Sequence, residues 1–224
     1  LVLPSTGQQV EFRPYLVKEE KILMLAQESR DSKQILSAMC QIVENCTFGK
    51  IDVKTLTNLD FEYIFLQLRI RSVGESSEFT LKCEKTGNEN TVKVDLREAY
   101  IKQPESEVED IVKISDKVGI KLRKATLLQY ATTISVENDI SDNLDGMIRG
   151  VVESIFDEED LYPIETIPDE EFIEFIDSLT HAQFEHISDY IENEPKLVLD
   201  VEFTDKESGH LNKQTLKGSE SFFL

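Results

Sequence analysis

The chain has 224 residues, of which 40% are hydrophobic and 30% charged, with a formal net charge of −20. That is enough apolar material to bury the core of one large domain or two small ones, which excludes a disordered chain. No apolar run approaches the roughly 18 residues that span a bilayer, and so negative a surface repels nucleic acid and anionic membranes.

Residues 1–6 read as a tail broken by Pro4, and residues 8–13 as a short strand with Val10 and Phe12 on one face, ended by Pro14. A helix is expected over 16–28. Asp31 and Ser32 are N-cap candidates for the next helix, which carries Ile35, Met39, Ile42, Val43 and Cys46 on one stripe. Thr57-Asn58-Leu59-Asp60 has the form of a capping box with Asp in the acidic position. The third helix places Phe61, Ile64, Phe65 and Leu68 on one face, with Tyr63, Leu66 and Ile70 on others. A helix apolar on nearly every side is either central to a core or docked against a second surface. Arg69 and Arg71 suit its negative end, and Gly74 closes it.

Strands follow. Residues 79–83 and 91–96 alternate about a turn containing Gly87, Asn88 and Asn90, which predicts a β-hairpin. Residues 103–110 read as a loop, 110–114 and 119–123 as a second hairpin. Helices are expected from about Thr126, over 140–156, from Pro168 (Phe172, Phe175, Ile176 and Leu179 inward) and after Thr180 (Phe184, Ile187 and Ile191 inward). Residues 197–203 form a strand, alongside which 213–223 returns. The order predicts an α+β fold. Residues 1–76 make an N-terminal helical body, 77–125 a small antiparallel hairpin region completed by 196–224, and 126–195 an acidic helical insertion.

The charge is concentrated. Residues 137–194 hold 19 acidic side chains and one basic one, Arg149. Such a surface attracts a basic protein partner, or is a solvated face that keeps the protein soluble. The three cysteines, Cys40, Cys46 and Cys83, make no disulfide framework and fit folding in a reducing compartment. The chain opens at Leu1 rather than Met, which leaves room for a longer native N-terminus, and no basic-then-apolar leader is present.

Candidate chemistry is sparse. Cys83-Glu84-Lys85-Thr86-Gly87 parallels Asp205-Lys206-Glu207-Ser208-Gly209, each following a strand with Phe and ending in Gly. A zinc ribbon needs four soft ligands from two such turns, at about 2.3 Å. Thr86, Asp205 and Ser208 stand at three of the four positions, so the pair reads either as a ribbon-like arrangement without metal or as two ordinary turns alike by accident. His181 and His186 do not share a helix face, and His210 sits in a turn. Asp139, Asp142, Asp145 and Gly146 lack calcium-loop spacing, and Asp157-Glu158-Glu159-Asp160 reads as a charged linker. No phosphate-binding, dinucleotide or nucleophile-elbow motif occurs. No catalytic residue, cofactor site or metal site is therefore assigned, and an enzyme is not expected.

Leu3-Pro4-Ser5-Thr6-Gly7, Phe12-Arg13-Pro14, Lys18-Glu19-Glu20-Lys21 and the helix from Asp60 to the Arg71-Ser72-Val73-Gly74-Glu75 end together resemble the baseplate hub subunits and hub-assembly proteins of T-even-type contractile-tailed bacteriophages. The resemblance is clearest over residues 3–96, weaker to 136, and afterwards confined to Phe222-Phe223. It implies a structural or assembly component of the tail baseplate hub, assembled in the host cytoplasm, whose partners are the hub, central spike and tape-measure proteins. It supplies no catalytic residues. Some members carry Cys-x-x-Cys at the first hairpin, from which Thr86 departs. Mixed charge beside surplus apolar helix surface marks Arg13, Tyr15, Lys18, Lys21, Phe61, Tyr63, Phe65, Arg69 and Arg71 as candidate docking residues. Two other functions fit the same chain: a tail-assembly chaperone that binds the tape-measure protein and leaves before the virion is finished, and a phage enzyme that processes cell wall or hub.

Overall fold

The structure, a computed structural model, describes residues 1–106, 108–127 and 140–218. The fold is α+β, and every strand pairing among the described residues is antiparallel. The chain divides into two compact units. Unit 1 comprises Leu1–Val53, Leu59–Lys102 and Pro195–Leu224; unit 2 comprises Lys54–Asn58 and Gln103–Glu194.

Unit 1 opens on a closed turn rather than a loose tail. Gly7 N–H donates to Leu3 O and Leu3 N–H to Gln8 O, both at 2.9 Å. Gly7 has φ 70, a backbone conformation in which a side chain would be strained. Leu3 is buried, and Ser5 N–H donates to Asp60 Oδ1 at 2.9 Å. The strand expected over 8–13 is reduced to one bridge, Val2 to Gln9, because the chain from Glu11 onward lies apart from any ladder.

Helix α1 spans Val17–Ser29, α2 Ser32–Cys46 and α3 Asn58–Ser72. Asp31 caps α2, accepting from the N–H groups of Lys33 and Gln34. Its predicted stripe, Ile35, Met39, Ile42, Val43 and Cys46, is buried throughout. Helix α3 is central: Phe61, Ile64, Phe65, Leu66 and Leu68 are buried, and the Phe61 and Phe65 rings stack with centroids 6.4 Å apart.

Strands β1 (Ser76–Lys82) and β2 (Glu89–Asp95) pair as the expected first hairpin. A short strand that periodicity did not reveal, β3 (Tyr100–Lys102), pairs with β8 (Lys196–Thr204), which pairs in turn with β9 (Leu211–Lys217). Strand β9 ends before the 213–223 expected, and residues 219–224, including Phe222 and Phe223, lie outside the described residues. Leu66, Leu81, Leu96, Leu197, Leu199, Val201 and Phe203 form one apolar cluster of the unit. The chain departs from this sheet after Lys102 and re-enters at Lys196, and these two residues face each other in the ladder.

Unit 2 holds a four-stranded sheet in the order β4-β5-β6-β7, from β4 (Ile111–Lys113), β5 (Gly119–Leu122), β6 (Val152–Phe156) and β7 (Leu161–Pro163). Helix α4 covers Ile140–Val151, so the helix expected over 140–156 ends after Gly150-Val151. The stretch Val152 to Phe156 pairs with β5, its β-branched and aromatic residues suiting the pleat. Phe156 lies over Gly119, where an added Cβ would come within 2.5 Å of its ring. Helices α5 (Asp169–Asp177) and α6 (His181–Glu192) complete the layer. Thr180 and Gln183 form a capping box for α6, and Gln183 also donates to the carbonyls of Lys113 and Ile114. The core gathers Val112, Ile120, Ile148, Val152, Phe172 and Ile187. Arg149 donates to the carbonyls of Ile164 and Ile167, pairs with Asp169 at 3.2 Å and stacks on Phe172 at 5.1 Å.

Candidate docking surface

The proposed docking residues divide by burial. Phe61, Phe65 and Tyr15 are inside unit 1, and Tyr63 and Arg69 are half-buried; Lys18, Lys21 and Arg71 are exposed. The surplus of apolar residues on α3 is thus spent on its own unit. One guanidinium nitrogen of Arg69, Nη1, is buried without a hydrogen-bond partner among the described residues.

Arg13 and Tyr15 begin a bracket that ties three helices together. Arg13 N–H donates to Cys46 O at the end of α2 (3.0 Å), and Tyr15 N–H to Ser72 Oγ at the end of α3 (2.9 Å). The Arg13 guanidinium meets the buried Glu19 carboxylate at 2.9 Å, and Glu19 reaches back to accept from Leu16 N–H at 2.7 Å. Leu16 has no side-chain acceptor, so the reciprocal half of a capping box is missing and Glu19 alone holds the helix start. Burial pushes the Glu19 carboxyl up, but the hydrogen bond from Arg13, the one from Leu16 and the nearby charges outweigh it and leave the group below its usual range.

An apolar surface that remains open lies on α1. Val17 (65% exposed), Met24 (56%) and Leu25 (67%) project together with Lys21, at helical spacings of four, seven and eight, and Lys18 borders them. Glu19 and Ala26 face inward on the opposite side. Sequence reasoning chose the lysines and missed the three apolar residues. The signal was there: Ile22-Leu23-Met24-Leu25-Ala26 is a longer apolar run than one buried helix face can use.

The paired turns also come together, in unit 1. Strands β1 and β2 form one hairpin and β8 and β9 another, and the two match residue for residue: Ser76↔Asp95 corresponds to Val198↔Lys217, and Lys82↔Glu89 to Thr204↔Leu211. Their turns match bond for bond. Cys83 N–H donates to Asn88 O and Asp205 N–H to His210 O, both at 2.8 Å; Gly87 N–H donates to Cys83 O and Gly209 N–H to Asp205 O. Gly87 and Gly209 have φ 76 and 69. Asn90 Oδ1 accepts from Lys206 N–H in the second turn, and Asn212 Oδ1 accepts from Glu84 N–H in the first, so each hairpin reaches across to the other in the same way.

Between the turns lies the buried Asp205 carboxylate. It accepts from the Ser208 hydroxyl and amide, from Asn90 Nδ2 (2.9 Å) and from Thr86 Oγ1 (3.3 Å). The Ser208 hydroxyl, then Asn90, hold its carboxyl far below the usual carboxylate range despite burial. Burial raises the Cys83 thiol, but hydrogen bonds involving Thr86 and Asn212 bring it below its ordinary value. The donor set for a metal at this place would be one thiol, one saturated carboxylate and two hydroxyls, which does not fit a structural zinc. Among the described residues no cluster of three or more His, Cys, Asp or Glu side chains converges on a metal position.

The acidic run at 157–160 has a local role. Asp157 Oδ1 accepts from the N–H groups of Glu159 and Asp160, making the expected linker a hairpin turn between β6 and β7. Asp142 and Asp145 fall in α4 rather than in a loop, and Asp139 lies outside the described residues. His186 contacts Glu109 O at 2.8 Å. No helix among the described residues is long and apolar enough to cross a membrane.

The family described as T4 bacteriophage base plate protein matches residues 1–224. No curated protein and no solved structure matches the chain.

Proposed function

We propose that this chain, which belongs to the T4 bacteriophage base plate protein family, is a structural or assembly component of the baseplate hub that works by docking and transforms no substrate. As a base plate protein it belongs to the phage tail, and its partners are other tail proteins. The finer assignment to the hub, beside the central spike and the tape-measure protein, is ours.

The observation that carries the docking reading is the open face of α1. Val17, Met24 and Leu25 keep most of their surface in water, at a cost of about 25 cal/mol for each Å² that a partner could cover. Lys18 and Lys21 on the same helix suit a partner with an apolar strip and acidic residues beside it. The Arg13–Glu19 bracket fixes the start of α1, so the face is presented rigidly, which lowers the entropy cost of association. The buried aromatic residues of α3 act indirectly, by holding the frame on which α1 rests.

Replacing Met24 and Leu25 together with Glu tests this. Both side chains point away from the core, so far-UV circular dichroism and monomer stability should be unchanged. Incorporation into baseplates, measured in infected cells that supply only the variant, should fall about tenfold or more. Normal incorporation would remove α1 as the docking face. Mass spectrometry of purified particles separates the resident component proposed here, which is present, from the tail-assembly chaperone, which is absent.

A further inference from the structure

We infer that the two hairpins of unit 1 form a metal-free double knuckle, in which the Asp205 carboxylate and its hydrogen-bond donors hold together four positions, Cys83, Thr86, Asp205 and Ser208, that are spaced and aimed as the ligands of a tetrahedral metal. The inference does not depend on where in the baseplate the protein docks.

Three observations carry it. The first is the residue-for-residue match of the hairpins, which extends through all seven strand pairs and through both turns. The equal turns set the equal registers, and the crossed bonds from Asn90 and Asn212, each to the opposite turn, are what an accidental likeness of two turns would not supply. Only Gly87/Gly209 and Asn90/Asn212 are identical between the two stretches. These are the residues the geometry cannot exchange: the glycines for their positive φ, the asparagines because each accepts from the opposite turn.

The second is reciprocity. Each turn offers its first and fourth residues to the space between the hairpins, as the two halves of a four-ligand site must. Thr86 of one turn and Ser208 of the other both donate to the same carboxylate oxygen, Asp205 Oδ2. Three of the four positions are thereby joined through one atom, and Cys83, buried beside Thr86 and Asn212, is the fourth.

The third is saturation. Asp205 and Asn212 are each 1% exposed and Asn90 4%, yet their side chains all have partners. A buried carboxylate is tolerated only when hydrogen-bonded on this scale. A zinc ribbon gains its closure from metal–thiolate bonds. Here an anion surrounded by donors replaces a cation surrounded by thiolates, and the same two turns close. The clamp joins stretches far apart in the chain, since Thr86 and Asp205 are 119 residues apart. It is therefore a tertiary staple of unit 1.

Metal content and one reconstruction test the inference. Wild-type protein purified from zinc-supplemented cells should carry far less than one zinc per chain; stoichiometric zinc that disappears in Cys83→Ser would overturn the inference. The variant T86C/D205C/S208C, with the native Cys83, should bind about one cobalt(II) per chain with the intense visible spectrum of a tetrahedral tetrathiolate. Failure to bind, whether in a folded variant or in one that stays unfolded with zinc or cobalt added, would mean that the four positions lack ligand geometry. Asp205→Asn examines the carboxylate itself. It should lower the urea midpoint clearly below that of the exposed control Glu84→Gln, and an unchanged midpoint would remove the carboxylate from its central role.

Discussion

Units 1 and 2 use charge in opposite ways. In unit 1 the informative charged groups are inside: Glu19 beneath Arg13, Asp60 on the N-terminal turn, Asp205 between the two hairpins. Asp60 and Asp205 hold together segments distant in the chain, and Glu19 fixes the start of α1 to the residues just before it. Among the described residues of unit 2 the acids are mostly outside, and Arg149, the one basic residue in 137–194, is turned to internal work on the Ile164 and Ile167 carbonyls. Net charge therefore says little about what a charge does. In one unit it is connective; in the other it coats a core built from aliphatic residues and Phe172.

The largest expected effect concerns that core. Phe172→Ala removes a ring that is 1% exposed and carries Arg149 on its face, and should cost unit 2 about 3–5 kcal/mol. Hydrogen exchange would show the loss in α4 to α6 and in β4 to β7. Equal loss of protection in α2 and α3 would erase the distinction between the units.

Glu19→Gln tests the connective charge. The folded carboxyl lies below its usual range, so its contribution is complete above the ordinary Glu value of 4.5 and is lost as the pH falls through the lower folded value. At neutral pH the variant should be less stable by about 1–2 kcal/mol. Urea midpoints of variant and wild type should converge as the pH falls below the ordinary Glu value. A gap that stays constant with pH would mean that shape rather than charge holds the bracket.

Salt gives the smallest effect. Raising ionic strength from about 0.02 to about 0.3 M shortens the Debye length several-fold and screens repulsion among surface acids. Unit 2 should gain a few tenths of a kcal/mol in exchange protection, and the buried pairs of unit 1 should change less. An equal gain in both would show that the acids of unit 2 do not repel one another more than those elsewhere.

Local pattern was legible where burial follows one period. The α2 stripe from Ile35 to Cys46 and the alternation of 79–83 and 91–96 are properties of neighbouring residues, and the structure keeps them. The stretch from Val152 to Phe156 continues the apolar run of α4 and could prolong the helix, and pairing with β5 decides for the strand. Strand β3 is three residues long, too short for any period. Arg13 and Tyr15 read as surface residues because their partners, Cys46 O and Ser72 Oγ, are far along the chain. The two turns could be matched by their letters, Cys83-x-x-Thr86-Gly87 against Asp205-x-x-Ser208-Gly209. Their crossed bonds through Asn90 and Asn212 need the fold.

The pairing of Lys102 with Lys196 bears on how the protein reaches its native state. Zippering β3 onto β8 from an extended chain means closing a loop as long as the whole of Gln103–Glu194, and the entropy lost grows with the logarithm of that length. Any condensation of the intervening chain shortens the effective loop and lowers that penalty. By this cost alone, pairing of β3 with β8 is cheapest once the intervening chain has condensed. The expectation is that the hairpin carrying the second knuckle gains exchange protection after unit 2 does, in refolding followed by pulsed hydrogen exchange.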